Sequence, residues 1–265
     1  MPKACVVNLI KRKEYINGQK ALQKVKKCAT IYIDNYILYA RENIPDCEGL
    51  MLERMAEFFE NRIDSYDDHM LTAIESADEF YSFTARSLPT QKGARILDLG
   101  CGTGLELEYY YRINPTARIT GIDLSEKMLE RLKAKFPEKE IELLVGSYFD
   151  LPFEREAFDG AVSVESLHHF TKEEKIPLYK KLCESLAVGA CFILTDYFAS
   201  SDEEEMLFAS SLNALRAEEG ITSGFYHYDT PLTVEHESEA LLLGGFSSVE
   251  ILSRWGATYT IRANK

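Results

Sequence analysis

Three glycines alternate with other residues in the stretch RILDLGCGTGLELEYYY, residues 95–111. An apolar run precedes these glycines and an amphipathic run follows them, which predicts a strand that turns directly into a helix. Such a turn exposes bare backbone and the N-terminus of a helix, and both suit a ligand that must approach the main chain closely. The stretch therefore predicts a ligand-binding turn in an α/β fold.

Strand-like apolar runs alternate with helical patterns from residue 95 onward. The apolar runs are ARILDLG, ARITGIDL, IELLVG, FDGAVSVE and ACFILTDYF. This alternation predicts a parallel sheet that is covered by helices on both faces. Near the C-terminus, SVEIL and ATYTIRA are separated by only a few residues, and so short a connection requires an antiparallel pair. We therefore expect a doubly wound sheet that is parallel except for one reversed strand near its edge.

Capping residues and apolar spacing predict the main helices. Ser125 is placed to cap a helix that ends before Pro137, and Ser201 with Glu204 opens another helix after the fifth strand. Ahead of the glycines, residues 52–66 and 70–87 carry apolar side chains at helical spacing, which predicts two helices. Residues 1–50 show no clean period.

Charge is unevenly distributed along the 265 residues. Residues 1–28 hold eight basic side chains against Glu14 alone, a net charge of +7, and the overall net charge of −13 leaves −20 on the remainder. An acidic body repels the phosphates that dominate nucleic-acid binding, which disfavours DNA or bulky RNA as the substrate. The basic arm leaves open a small RNA or another acidic partner, although charge runs are more often solvated surface.

Cysteine usage and the lengths of the apolar runs bear on the cellular compartment. The six cysteines form no close pair of the CxxC kind and are too sparse for a disulfide scaffold. No apolar run approaches the roughly 20 residues that cross a bilayer, and residues 1–13 lack the charge order of a secretory signal. We therefore expect reduced thiols, a cytoplasmic location and no membrane partner.

The glycine spacing separates two classes of nucleotide-binding turn. Dinucleotide-binding proteins have G-x-G-x-x-G here, whereas Leu105 takes the third glycine position in this chain and the glycine comes one place earlier, at Gly104. The segments ILDLGCGTG and ITGIDLSEKMLERLK resemble the first two motifs of class I S-adenosylmethionine-dependent methyltransferases. An LPF turn and LHHF follow in the family's order. Over residues 51–265 the resemblance is to the small-molecule branch, with enzymes of the ubiquinone and menaquinone methyltransferase type.

This resemblance implies a Rossmann-like, seven-stranded, mostly parallel sheet with one antiparallel strand near the edge. It divides the chain into a helical lid at 51–90 and a methyltransferase core at 91–265, with a substrate-covering insertion at 199–233. Residues 1–50 are left as a basic extension of unknown role. The implied cofactor is S-adenosyl-L-methionine, and the implied product is S-adenosyl-L-homocysteine.

The same resemblance implies a role for each cofactor-site residue. Gly100, Gly102 and Gly104 would wrap the methionine portion, while Asp98 helps to fix its ammonium group. Asp123 would accept hydrogen bonds from both ribose hydroxyls, a pairing that suits a carboxylate. The other implied contacts are Leu124 and Met128 beside the adenine, Ser147 and the Tyr148 backbone N–H at its amino group, and Tyr66 as a cover. Ser147 stands where the family frequently has an acidic residue, and a hydroxyl is a weaker acceptor.

Methyl transfer needs an aligned nucleophile and, when that nucleophile is protonated, a base. The candidates are His168 and His169, after the fourth strand, and Asp196, at the end of the fifth. A histidine titrates near neutrality, although paired histidines are also common as packing at a helix start. The loop GFYHYDTPLT fits a substrate lid or ordinary loop packing. The histidines do not combine with cysteines at established ligand spacings, and so we expect no metal.

The sequence therefore favours a methyltransferase that moves a methyl group to an O, N, S or C centre of a small molecule by direct displacement. Two alternatives stay open. One is a methyltransferase that acts on tRNA or protein through the basic arm, and the other is a non-catalytic regulatory protein that binds S-adenosylmethionine. The acceptor, the general base and the oligomeric state are not determined by the sequence, although a homodimer is compatible with it.

Overall fold

Seven strands form one sheet within residues 52–265, the part of the chain that the computed structural model describes. The strands are β1 (Arg95–Leu99), β2 (Arg118–Asp123), β3 (Ile141–Val145), β4 (Gly160–Val164), β5 (Cys191–Tyr197), β6 (Ser248–Trp255) and β7 (Thr258–Asn264). Their spatial order is β3-β2-β1-β4-β5-β7-β6. Strands β1 to β5 pair in parallel, and β7 runs antiparallel to both β5 and β6. The predicted mostly parallel sheet with one reversed strand near its edge is confirmed.

Helices cover both faces of this sheet. They are α1 (Met55–Asn61), α2 (Ile63–Ala73), α3 (Ala77–Ser87), α4 (Leu105–Ile113), α5 (Glu126–Lys135), α6 (Lys172–Ser185), α7 (Asp202–Glu218) and α8 (Val234–Leu243), with a 3₁₀ turn at Leu167–His169. The Ser125 hydroxyl accepts from the Met128 N–H and the Ser201 hydroxyl from the Glu204 N–H, as their sequence positions predict. Within residues 52–265, no helix combines the length and apolar character that a membrane span requires. The basic extension predicted at 1–50 lies outside the described residues.

The segment ahead of β1 holds three helices, whereas the sequence predicted two. The first break is at Arg62 (φ −111°, ψ 8°), which separates α1 from α2. The second break follows α2, where Ile74 is extended and Ser76 has a left-handed φ of 60°. Apolar residues keep helical spacing through the first break, and so periodicity alone did not reveal it.

Each face of the sheet carries its own apolar layer. One layer joins α6 and α8 to the sheet and includes Tyr179, Phe192 and Leu241. The other joins α3, α4 and α5 to the opposite face and includes Phe80 and Tyr110. Burial on both faces is the usual condition of a parallel sheet. It leaves the edge where β1, β2, β4 and β5 all end as the place for a ligand.

Candidate active site

The glycine turn after β1 brings bare backbone to the carboxyl edge of the sheet. Gly100, Gly102 and Gly104 have φ values of 71°, 49° and 72°, a region that L side chains rarely adopt. A β-carbon on Gly100 would lie 2.1 Å from the Ser166 Oγ, whereas a β-carbon on Gly102 would meet nothing nearer than the Tyr66 hydroxyl at 3.8 Å. Gly100 therefore permits close packing against the chain after β4, and Gly102 keeps open space beside the turn.

That open space is a crevice of about 470 Å³, its mouth included, which we call the cofactor crevice. Its walls come from α1, α2, the ends of β1, β2 and β4, and the turn after β3. The lining residues are Met55, Phe59, Tyr66, Gly100, Gly102, Asp123, Leu124, Met128, Tyr148, Glu165, Ser166 and His169. Of the ten residues predicted at the cofactor, seven are in this lining. Asp98, Gly104 and Ser147 are not.

Asp123, the last residue of β2, fastens the glycine turn to the neighbouring strand. The Gly102 N–H donates to its Oδ2 (2.9 Å), and the Ser125 N–H donates to its Oδ1 (2.8 Å). Burial raises the pKa of this carboxyl to about 6, although the backbone donors from Ser125, Gly102 and Leu124 oppose the rise. A carboxylate oxygen accepts more than one hydrogen bond, so each oxygen retains capacity for a ligand hydroxyl.

Asp98 has a different setting from the one expected. Its side chain is buried beside Glu106 in α4, and Asp98 Oδ2 and Glu106 Oε1 are both buried without a hydrogen-bond partner among the described residues. Burial and the adjacent Glu106 raise the pKa of Asp98 well above its usual range, and burial also raises the pKa of Glu106. The two carboxyl groups therefore favour a shared proton, because two adjacent buried charges cannot both be stable.

Ser147 and Gly104 support the site from behind the crevice wall. The Ser147 hydroxyl accepts from the Phe149 N–H (3.1 Å) and so holds the turn after β3. A β-carbon on Gly104 would lie 3.1 to 3.2 Å from the side chains of Leu132 and Phe136, which shows that α5 packs tightly there. Tyr148, by contrast, turns its ring to the crevice, and its hydroxyl lies 3.2 Å from the Ser166 Oγ.

A polar latch ties the Tyr66-bearing helix α2 to the glycine turn. The Thr103 hydroxyl donates to Asp67 Oδ1 (2.5 Å), and the Lys135 ammonium lies 2.7 Å from Asp67 Oδ2. The same ammonium donates to Thr103 Oγ1 (3.2 Å), and the Arg131 guanidinium donates to the Ile63 carbonyl (2.7 Å). We call Asp67, Thr103 and Lys135 the latch. It holds Tyr66 over Gly102.

His168 and Asp196, which the sequence named as separate catalytic candidates, form a buried pair. His168 Nδ1 and Asp196 Oδ1 are 2.5 Å apart. Asp196 Oδ2 also accepts from the backbone N–H groups of Leu167 (2.8 Å) and His168 (3.1 Å). Burial lowers the pKa of His168, but the negative charge and hydrogen bond of Asp196 outweigh it and raise that pKa to about 9. His168 is absent from the crevice lining, and its Nε2 faces Asp229 at 3.6 Å.

His169 does reach the crevice. Its Nδ1 lies 3.2 Å from the Tyr228 carbonyl oxygen and 3.4 Å from Asp229 Oδ1. Burial, together with the positive charges of His168 and His227, lowers the pKa of His169 well below its usual range. The imidazole is therefore neutral at physiological pH and faces the ligand space with hydrogen-bonding capacity.

Glu165 is a functional candidate that the sequence placed on the substrate side of the fourth strand's end without a catalytic role. It lines the crevice and has a left-handed φ of 49°, a strained conformation for a side chain larger than glycine. The Thr258 hydroxyl donates to its Oε1 (3.1 Å). Burial and the negative charge of Asp196 raise the pKa of Glu165 to about 7. A carboxyl group with a pKa in this range can both gain and lose a proton at neutral pH.

Two groups of ligand-type side chains lie close enough to hold an ion. His168, His169 and Asp229 form one group, and Glu165, His168 and Asp196 form the other, with ligand atoms within 4.8 Å of one another in each. The sequence predicted no metal, and that stays a prediction. Asp229 and Asp196 are each far from the histidines in sequence, so a rule based on ligand spacing detects neither group.

Comparisons with known proteins agree with this geometry. A family model described as a methyltransferase domain matches residues 96–189. The demethylmenaquinone methyltransferase of Lactococcus lactis is 36% identical over 112 residues, which cover 40% of this chain and 44% of that relative. The chain therefore spans less than half the length of this curated relative.

Solved structures show the same fold at lower identity. The crystal structure described as a putative O-methyltransferase from Nostoc punctiforme matches with a TM-score of 0.61 and 19% identity, covering 89% of this chain and 69% of that one. Phosphoethanolamine N-methyltransferase 2 of Haemonchus contortus, in complex with S-adenosyl-L-methionine, matches with a TM-score of 0.51 and 18% identity. The match covers 65% of this chain and 38% of that structure.

Proposed function

Because the chain carries a class I S-adenosylmethionine-dependent methyltransferase domain, we propose that the protein methylates an O, N, S or C centre of a small molecule by direct displacement. The observation that carries the proposal is the cofactor crevice itself. One wall presents glycine backbone and the Asp123 carboxylate, and the adjoining wall presents the titratable side chains Glu165 and His169. A cofactor site and candidate proton acceptors thus line one crevice.

The crevice residues fit the cofactor that this family uses. S-adenosylmethionine supplies a methyl group that its sulfonium centre has already activated. Asp123 would hold the ribose hydroxyls with the remaining capacity of its two oxygens, and the apolar Leu124 and Met128 would flank the adenine. A β-carbon on Gly102 would project into space that the structure leaves open. The crevice also favours the positive charge of the sulfonium, because the carboxyl groups of Asp123 and Glu165 both line it.

A side chain on the adjoining wall of the crevice would accept the proton of the acceptor. Glu165 is the better base, because its pKa of about 7 matches physiological pH, while the low pKa of His169 makes its imidazole a weak base but a good hydrogen-bonding group. Asp196 and His168 act as positioning residues, since they lie behind the lining and Asp196 orders the turn that carries His169. The sequence named His168 as a candidate base. The geometry favours Glu165 and His169 for contact with the acceptor.

The aromatic cover over the crevice supports a small acceptor. Phe59 and Tyr66 of the N-terminal helices contribute to its lining, and their rings pack edge to face with centroids 6.0 Å apart. A bulky acceptor would have to displace these helices. We further propose a cytoplasmic location, which the free thiols of Cys101, Cys183 and Cys191 support. A homodimer and the absence of a membrane partner stay predictions.

Incubation of the protein with methyl-labelled S-adenosylmethionine and a metabolite extract, followed by mass spectrometry, tests the proposal. Label in a discrete small product is the expected result. Label recovered only in added tRNA or protein would replace the small-molecule proposal, and cofactor binding without transfer to any fraction would favour the regulatory alternative.

Glu165→Gln tests the assigned base once a product is known. We expect transfer to an oxygen or nitrogen acceptor to fall by about 10²-fold or more, the usual contribution of a general base, while calorimetric affinity for S-adenosylhomocysteine, which lacks the sulfonium charge, changes little. The matched control is Glu173→Gln, an exposed residue in the first turn of α6. Equal rates in both variants would remove Glu165 from the mechanism.

A further inference from the structure

A second cavity lies beside the cofactor crevice, and we call it the α7 chamber. It is bounded by α7, the start of α6 and the loop before α8, and it encloses about 410 Å³ with its mouth included. Its lining residues are His169, Phe170, Thr171, Glu174, Ala209, Leu212, Asn213, Arg216, Phe225, Tyr226 and Thr230. His169 lines both spaces, so its side chain borders the chamber and the cofactor crevice alike.

The deep part of the chamber is apolar and aromatic. Phe170 and Leu212 are buried, and Phe225 packs on Phe170 with ring centroids 5.7 Å apart at an angle of 84°. Tyr226 completes this side of the lining. Flat aromatic walls with a few polar groups are typical of sites for small organic molecules.

Arg216 supplies a polar group with unused hydrogen-bonding capacity. Its Nε is buried and has no hydrogen-bond partner among the described residues. Its Nη2 donates to the Gly224 carbonyl at a long distance of 3.4 Å. A buried donor without a partner is costly, and it costs more on a charged group. An acceptor oxygen on a bound molecule would remove that cost.

The other ionisable groups at the chamber do not cancel the preference of Arg216 for an acceptor oxygen. Glu174 is exposed, and its Oε2 already accepts from the N–H and the hydroxyl of Thr171 in the cap of α6. Water therefore screens its charge, whereas the Arg216 Nε is shielded from water. His169 is held neutral by its surroundings. Among the lining residues, Arg216 is the one that carries a permanent positive charge.

We propose that the α7 chamber binds the far end of the methyl acceptor and that this end is a carboxylate on a flat apolar body. This assignment rests on the proposed function, which places the nucleophile of the acceptor at the crevice beside His169. A guanidinium matches a carboxylate with two parallel hydrogen bonds, and the aromatic side chains take the body of the molecule. The acceptor thus spans both spaces and passes His169.

Paired acids and amides test the chamber without turnover. The probes are 3-phenylpropanoate, indole-3-propanoate and 2-naphthoate, each compared with its primary amide by NMR titration at saturating S-adenosylhomocysteine. In the wild-type protein at least one acid should bind at least tenfold more tightly than its amide. Arg216→Gln should weaken that acid at least tenfold and its amide less than twofold.

Two further variants control for folding and for charge in general. Arg216→Lys keeps the charge but loses the planar fork, and we expect intermediate affinity for the acid. Arg118→Gln removes an exposed arginine that pairs with Glu140 at the opposite end of the strands, and its affinities should match the wild type. The assignment is wrong if none of the acids exceeds its amide, or if Arg216→Gln binds the acids as the wild type does.

These measurements are independent of the methyl-transfer assay. If the protein prefers the acids but transfers no label, the proposed activity is wrong, and the chamber is still an anion-binding site. If the protein transfers label but shows no preference for the acids, the proposed activity holds, and the role assigned to Arg216 is wrong.

Discussion

The β1–β2 half and the β4–β5 half of the site are assembled in different ways. In the first half, the glycine turn and Asp123 are separated by about twenty positions, and Asp123 is bonded directly to Gly102. In the second half, Glu165 and His169 depend on Asp196, on Thr258 in β7 and on Asp229 in the loop before α8. Local geometry therefore fixes where the cofactor is held. Contacts between distant segments position Glu165 and His169, the groups proposed to face the acceptor.

The difference explains why the two halves tolerate different changes. A backbone turn loses its shape when a side chain is added, whereas a charge cluster keeps its shape and changes its protonation when one partner is neutralised. We therefore expect substitutions in the first half to act on folding and cofactor affinity. Substitutions in the second half should act on proton transfer and on pH dependence, and on stability as well where they neutralise a buried carboxylate that holds backbone N–H groups.

Gly100→Ala should have the largest effect. The β-carbon would clash with the Ser166 Oγ, and the left-handed φ adds strain, so we expect about 2 to 5 kcal/mol of lost stability from the two costs together. Thermal and denaturant unfolding measure this change.

Gly102→Ala is the matched control within the same turn. It shares the left-handed φ but has open space around the new methyl group, and so its stability loss should be about 1 to 2 kcal/mol while its cofactor affinity falls. Equal destabilisation by the two variants would contradict the assigned packing role of Gly100.

Asp196→Asn should have the next largest effect on stability. It removes a buried carboxylate that accepts from two backbone N–H groups and pairs with His168, so we expect a loss of about 2 to 3 kcal/mol. Without the negative charge, the pKa of His168 should fall from about 9. NMR titration of the imidazole measures that pKa, and an unchanged value would contradict the pairing.

The same pair predicts a pH dependence of folding. Because the folded pKa of His168 lies above the ordinary value of 6.5, its contribution to stability is fully present below about pH 6.5 and is lost as the pH rises through about 9. Asp196→Asn should flatten this part of the stability profile. A wild-type profile whose slope between pH 6.5 and 9 is unaffected by the substitution would exclude the linkage.

Asp123→Ala should change cofactor affinity by about 1 to 3 kcal/mol, through loss of a charged hydrogen-bonding partner. Calorimetric titration with S-adenosylmethionine measures the effect, with Asp150→Ala as a control for an exposed carboxylate near the turn after β3. Wild-type affinity in Asp123→Ala would remove the ribose role assigned to this residue.

The first half was accessible from the sequence because its signals are short-range. Alternating glycines after an apolar strand require close approach to the backbone, and Asp123 stands at the end of the next strand. Tyr66 was found only through the resemblance to a family. Asp98 lies outside the crevice lining with its carboxyl group buried beside Glu106, and its role toward the methionine ammonium stays a prediction.

The second half was only partly accessible because its partners are far apart in the chain. The sequence located His168, His169 and Asp196 at strand ends, but it could not show which imidazole reaches the ligand space. Asp229 lies in the loop before α8, where no periodic pattern orients side chains, and Arg216 lies in α7, a predicted helix whose position relative to the sheet the sequence does not give. The break at Arg62 was missed because the apolar spacing continues across a single non-helical residue and so does not reveal it.

The latch of Asp67, Thr103 and Lys135 has a kinetic consequence. We expect movement of Tyr66 away from Gly102 to require separation of the ion pair between α2 and α5, so that uptake of substrate and escape of product would meet the same electrostatic barrier. Mobile ions weaken such a contact at the surface of the protein. Raising the salt concentration should therefore speed nucleoside exchange, even as it leaves the chemistry beneath the lid unaltered.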